Sequence, residues 1–124
     1  MLLVEDSPEI RRLTRAHLKR LGFDVTEAAD GRTAMGALAA RTFDLICLDL
    51  MLPEVSGYEI CEHIRADDTN RNVPILIISA RSSVTDRAHA LEAGADSVLV
   101  KPYRSHELDA LITALLERAE SGAP

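Results

Sequence analysis

Five polar side chains stand where apolar runs end. Glu5 and Asp6 follow Leu2-Leu3-Val4, and Asp49 follows Leu45-Ile46-Cys47-Leu48. Ser79 follows Ile75-Leu76-Ile77-Ile78, and Lys101 follows Ser97-Val98-Leu99-Val100. Neighbouring carboxylates repel one another and hold their protons more tightly unless a cation sits among them. Oxygen ligands that leave positions for water suit Mg²⁺. A carboxylate is also a competent nucleophile in covalent phosphoryl transfer, giving an aspartyl phosphate. The phosphoryl oxygens would then need the metal, an ammonium such as Lys101 and a hydroxyl such as Ser79. Taken alone, Asp49 serves equally well as a turn cap, because Pro53 and Gly57 punctuate the stretch after it. No Ser-His-Asp or His-Cys arrangement competes for these positions, and no nucleotide-binding glycine signature is present.

The five residues meet only if the apolar runs are parallel strands. The chain supports this by alternating such runs with amphipathic segments. After Leu2–Val4, Ser7-Pro8 opens a helix whose Ile10, Leu13, His17 and Leu21 read as the inward stripe, ended by Gly22. Asp24–Ala28 is a weak second strand, and Asp30-Gly31 leads into a helix with Ala34, Met35, Leu38 and Ala39. The third strand, at Leu45–Leu48, precedes a helix marked by Ile60, Cys61 and Ile64. A polar loop at Asp67–Asn72 leads to the fourth strand. Ser83-Val84-Thr85-Asp86 then resembles a capping box, with Ala88 and Leu91 inward and Gly94 closing the helix. Ser97–Val100 is the fifth strand, and Ser105 caps a last helix with Leu108, Leu111, Ile112 and Leu115 on one face. This alternation predicts an α/β, three-layer, doubly wound five-stranded parallel sheet in the order 2-1-3-4-5, flavodoxin-like. That order puts all five polar residues on the rim formed by the carboxyl ends.

The 124 residues suit one domain, 1–118, with 119–124 as a frayed tail or the start of a linker. A formal charge of -6 argues against direct nucleic acid binding by this domain. No run approaches the ~18 apolar residues of a membrane helix, and the start lacks a signal-peptide pattern, so the expected place is the cytoplasm. Cys47 and Cys61 have neither framework nor ligand spacing and read as small core residues. His63, His89 and His106 read as solvated. The Arg11-Arg12 and Lys19-Arg20 pairs read as a solvated helix face that could also meet an acidic partner.

With Val4-Glu5-Asp6, Asp49 with Pro53 and Gly57, Ser79-Ala80, Gly94-Ala95-Asp96 and Lys101-Pro102 in place, the chain resembles the receiver domain of bacterial two-component response regulators over essentially its whole length. The resemblance implies that Asp49 accepts phosphate from a sensor histidine kinase or a histidine phosphotransfer protein. Glu5, Asp6, Asp49 and the backbone carbonyl of Met51 would hold Mg²⁺. Ser79 would bond a phosphoryl oxygen, Lys101 would pair with the acceptor or the phosphate, and the Lys101-Pro102 bond would be cis. The domain would be a regulatory switch rather than an enzyme, catalysing only its own phosphorylation and dephosphorylation. It would signal through the fourth-helix, fifth-strand and fifth-helix face to a downstream effector domain or partner protein, with a homodimer left open.

Two positions depart from the family. Val98 stands three residues before the lysine, where Tyr or Phe is usual, and Tyr103 replaces the usual Phe after Lys101-Pro102. A stiff valine cannot carry a swinging ring. The readout is therefore expected through the loop after Ser79 and the helix start, around Ser82 to Arg87. Three rival functions fit these residues less well. An Asp-nucleophile phosphohydrolase would need a second carboxylate where Met51 stands. A flavodoxin-type carrier would not place Glu5-Asp6 against a phosphate. A degenerate receiver would not need the five rim residues.

Overall fold

The computed structural model describes residues 1–80 and 83–121. Among them strands and helices alternate: β1 (Leu2–Val4), α1 (Pro8–Arg20), β2 (Thr26–Ala28), α2 (Gly31–Ala40), β3 (Ile46–Leu48), α3 (Gly57–Ala66), β4 (Ile75–Ser79), α4 (Val84–Ala93), β5 (Ser97–Val100) and α5 (Ser105–Ser121). The strands pair in parallel in the order β2-β1-β3-β4-β5, as expected. The tail residues 122–124, and Ser82 in the expected readout loop, lie outside the described residues.

Period-two alternation splits the core into two layers. Leu2, Val4, Ile46, Leu48, Ile75 and Ile77 face α2, α3 and α4, where Leu38, Ile60, Ile64 and Ala90 meet them. Leu3, Cys47, Leu76, Ile78 and Leu99 face α1 and α5, packing on Leu18, Leu108, Ile112 and Leu115. Both cysteines are buried and free, and burial pushes each thiol up to about 12. Among the described residues no helix is long and apolar enough to cross a membrane.

Helix starts follow local chemistry. Ser7, Asp30, Ser56 and Ser83 each accept a backbone N–H from three residues ahead. Gly22 and Gly94, at φ of +96° and +118°, supply the left-handed turns after α1 and α4.

Three expectations fail. The stripe Ile10, Leu13 and Leu21 on α1 is exposed, Leu13 at 66%, and the buried residues are Thr14 and Leu18. On α4, Ala88 and Leu91 are exposed, while Ala90 and Ala93 are buried. At Thr14 on α1 and at Ala90 and Ala93 on α4 a polar or small residue is buried, while Ile10, Leu13 and Leu91 stay outside. Ser105 does not cap α5 but is its first residue. The Arg104 carbonyl accepts from Leu108 N–H, and Glu107 Oε1 accepts the Arg104 N–H at 2.9 Å, so Arg104 holds the cap position.

Candidate functional site

The rim of the sheet is built by strand exits that the ladder fixes. Glu5 N–H donates to the Ala28 carbonyl, Asp49 N–H to the Val4 carbonyl and Lys101 N–H to the Ser79 carbonyl, at 3.0, 3.1 and 2.9 Å. Each polar residue thus leaves its strand beside a neighbour that is already paired. Behind Asp49 the chain is tightly packed. A Cβ on Gly57 would lie 2.6 Å from the Asp49 carbonyl oxygen and 2.7 Å from Leu50 Cα. Only glycine lets α3 start this close to the strand exit. The Lys101-Pro102 bond is cis.

The side chains converge. Lys101 Nζ lies 2.7 Å from Glu5 Oε1 and 3.0 Å from Asp49 Oδ2. Asp49 Oδ1 accepts the Met51 N–H at 3.0 Å, and Glu5 Oε2 accepts the Ser7 N–H at 3.2 Å. Carboxylate oxygens of Glu5, Asp6 and Asp49 all lie within 4.8 Å of one another. Glu5 and Asp49 are 5% and 6% exposed, whereas Asp6 faces solvent.

Burial raises the Glu5 pKa above its ordinary value, against the bonds from Lys101 and Ser7, and repulsion from Asp49 adds to it. Burial also works to lower the Lys101 pKa, but the bonds to Glu5 and Asp49 outweigh it and the net shift is upward. Three carboxylates therefore face one ammonium, and burial with repulsion from Asp49 shifts Glu5 toward its acid form. An all-oxygen donor set with two buried members and one open to water fits a hard divalent cation that keeps part of its hydration.

Ser79 is wholly buried at the end of β4, one strand over from Asp49. The pocket beneath the rim is lined by Glu5, Thr14, Asp49, Lys101 and Tyr103. A family model described as the response regulator receiver domain matches residues 1–113. The chain belongs to this family.

The receiver domain is 42% identical over 118 residues to the transcriptional regulatory protein YrkP of Bacillus subtilis, covering 95% of this chain and 49% of that protein. It is 37% identical over 123 residues to the probable transcriptional regulator ycf27 of Porphyridium aerugineum, covering 99% and 50%. The chain thus spans about half the length of these curated relatives. Among solved structures it matches the receiver domain of sensor histidine kinase PA1611 from Pseudomonas aeruginosa, with a TM-score of 0.87 at 35% identity over 94% of this chain and 95% of that one. That structure holds a magnesium ion coordinated in its active site cleft. A CheY-like receiver domain protein from Methanospirillum hungatei, at a TM-score of 0.91, 24% identity and coverage of 98% and 96%, supports the fold alone. Receiver domains of response regulators act in two-component signalling with histidine kinases and effectors.

Sequence reasoning did not foresee three features of this receiver domain. Arg65 donates to the carbonyls of Gly94, Arg71 and Val73 and to Asp96 Oδ2, which also accepts the Ile75 N–H. This explains the Gly94-Ala95-Asp96 motif as a staple between α3 and the strands beside it, since a Cβ on Gly94 would lie 2.5 Å from Arg65 Cγ. Tyr58 of α3 stacks on His89 of α4, with ring centroids 3.7 Å apart, and its hydroxyl donates to the Asp86 carbonyl at 3.4 Å. Arg11 reaches the acidic turn through the Glu5 carbonyl at 2.9 Å. His63, His89 and His106 are exposed as expected, and His17 Nε2 lies 2.6 Å from Asp109 Oδ1 of α5.

Proposed function

We propose that this receiver domain is a phosphorylation-activated switch in a two-component phosphorelay. Asp49 accepts a phosphoryl group from a sensor histidine kinase or a histidine phosphotransfer protein, with Mg²⁺ as cofactor. The observation that carries this reading is Lys101 Nζ seated between Glu5 and Asp49, inside a carboxylate cluster open to solvent through Asp6. Glu5, Asp6, Asp49 and the Met51 carbonyl would hold the ion. When bound, it supplies positive charge for the phosphoryl oxygens and relieves the repulsion among the acids.

An Asp49 carboxylate oxygen attacks phosphorus as the phosphorus–nitrogen bond of the donor histidine breaks. The bonding pair leaves on the imidazole nitrogen, which then takes a proton. Lys101 releases Asp49 and meets a phosphoryl oxygen, and the Ser79 hydroxyl bonds another. The domain turns over no external substrate and catalyses only its own phosphorylation and dephosphorylation. A protein phosphodonor would approach past α1, whose exposed Ile10 and Leu13 lie beside basic Arg12.

Output passes through α4, β5 and α5, where Val84 and Leu91 are exposed, to an effector domain or partner protein. The double-length transcriptional regulators among its relatives favour a DNA-binding effector outside this acidic, cytoplasmic domain. Incubation with Mg²⁺ and acetyl phosphate, read by intact mass, tests the proposal. One phosphoryl adduct is expected on wild type, none on Asp49→Asn, and on Lys101→Ala an adduct that does not signal. Phosphate on another residue, or steady hydrolysis of phosphomonoesters, would overturn it.

A further inference from the structure

Arg11 and Arg12 are adjacent on α1 and differ in helical phase. Arg12 is exposed, while Arg11 is half-buried on the side of Thr14 and Leu18. Arg11 Nη1 donates to the backbone carbonyl of Glu5 at 2.9 Å. Its Nε lies 3.4 Å from Glu27 Oε1 on the edge strand β2, and Arg15 Nε lies 3.2 Å from Glu27 Oε2.

We infer that Arg11 is a positioning residue for the carboxylate cluster, fixing the peptide plane between Glu5 and Asp6 so that both acids point at one place. This deepens the Mg²⁺ reading above and rests on it. Glu5 is held at four points: N–H by Ala28, carbonyl by Arg11, Oε2 by Ser7 and Oε1 by Lys101. Asp6 differs, because its carboxylate makes no hydrogen bond or ion pair among the described residues. Its direction therefore comes from the backbone, and the peptide entering Asp6 is the one whose oxygen Arg11 grips. Arg11 reaches the carbonyl through Nη1 and the Glu27 carboxylate through Nε, two nitrogens held apart in one rigid plane, a geometry that a single-point ammonium does not reproduce. Glu27 keeps the fork in place and offsets its charge.

The sign of a substitution separates positioning from electrostatics. Removing a positive charge near a cation site favours cation binding by Coulomb's law. Loosening the ligands disfavours it. Mg²⁺ titrations followed by amide chemical shifts, on wild type, Arg11→Met and Arg12→Met, read that sign. The expected result is a dissociation constant raised about tenfold in Arg11→Met, the low end for an outer partner of a metal site. Arg12→Met should bind as wild type does, or more tightly. In metal-free protein, Arg11→Met should move the Asp6 and Ser7 amides and leave those of Ala16 to Arg20 in place. Binding by Arg11→Met as tight as wild type, or tighter, overturns the inference and leaves the metal reading intact. If Arg11→Met does not fold, Arg11→Lys decides: its charge is unchanged, and a wild-type constant in it overturns the inference. Wild type that ignores Mg²⁺ overturns the metal reading and the inference with it.

Discussion

Replacing Lys101 by alanine would leave Glu5 and Asp49 facing each other without the ammonium they share. A fully buried pair broken in this way costs about 3–5 kcal/mol. This rim opens to water through Asp6, so about 1–3 kcal/mol is expected, closer to the loss of charged hydrogen bonds. Denaturant melts check it, and Mg²⁺ should restore part of the loss. Glu5 carries the opposite sign. Its pKa is raised above the ordinary 4.5. Its stabilising contribution is therefore complete below that value and lost as pH rises through the raised folded one. Lys101 is raised from 10.5, so its own contribution fades only in alkali. The stability of wild type relative to Glu5→Gln should thus fall as pH climbs from 4 toward neutrality without metal, and a flat difference would contradict the assignment. Gly57→Ala sets two magnitudes against each other. Alanine gains about 1 kcal/mol of helix propensity. Its methyl would press on the Asp49 and Leu50 backbone, which cannot rotate away, and such overpacking costs about 1–3 kcal/mol. Net destabilisation is expected, together with weakened Mg²⁺ binding.

Elements were legible wherever two signals agreed. Ser7-Pro8, Ser83 and Gly94 marked helix ends because cap chemistry is local, and β1 and β5 emerged with their observed bounds because both faces are covered. The phase of α1 was not legible. Ile10, Leu13 and Leu21 give three apolar residues at helical spacing against Leu18 alone beside polar Thr14, although Thr14 and Leu18 are the buried pair. The same error hid Arg11, which shares the phase of Thr14 and so points at the acidic turn rather than at solvent. Leu18→Ala should accordingly cost about 2–5 kcal/mol. Leu13→Ala should stay within about 0.5 kcal/mol. Equal losses in the two melts would restore the stripe read from sequence. At β5, Val98 is buried and offers no ring, while Tyr58 of α3 lies against α4 through His89 and Asp86. Beryllofluoride, standing in for the phosphoryl group, should therefore shift amides from Ser83 to His89 and leave Val98 quiet. Changes centred on Val98 with α4 silent would mean that the fifth strand carries the signal after all.

At the scale of the molecule, the formal charge is -6, and three of its carboxylates crowd one end of the sheet. General screening and specific binding both predict that cations help, but by different amounts. Salt acts on exposed charges within a Debye length of about 8–10 Å and reaches buried Glu5 and Asp49 weakly. A site that binds the folded state alone stabilises it by about 2.7 kcal/mol at 100 times its dissociation constant. For a domain of 124 residues that corresponds to a rise of about 10 °C in Tm. MgCl₂ should produce this rise, and NaCl at equal ionic strength only a small part of it. Asp6→Asn separates the two contributions, because it removes one exposed charge and one ligand position and leaves the Lys101 pairs in place. Its metal-free Tm should match or exceed that of wild type, while its response to MgCl₂ should shrink to the response to NaCl. A full magnesium rise in Asp6→Asn, or an equal rise in sodium for wild type, would assign the effect to the charge of the whole molecule and remove the rim as a metal site.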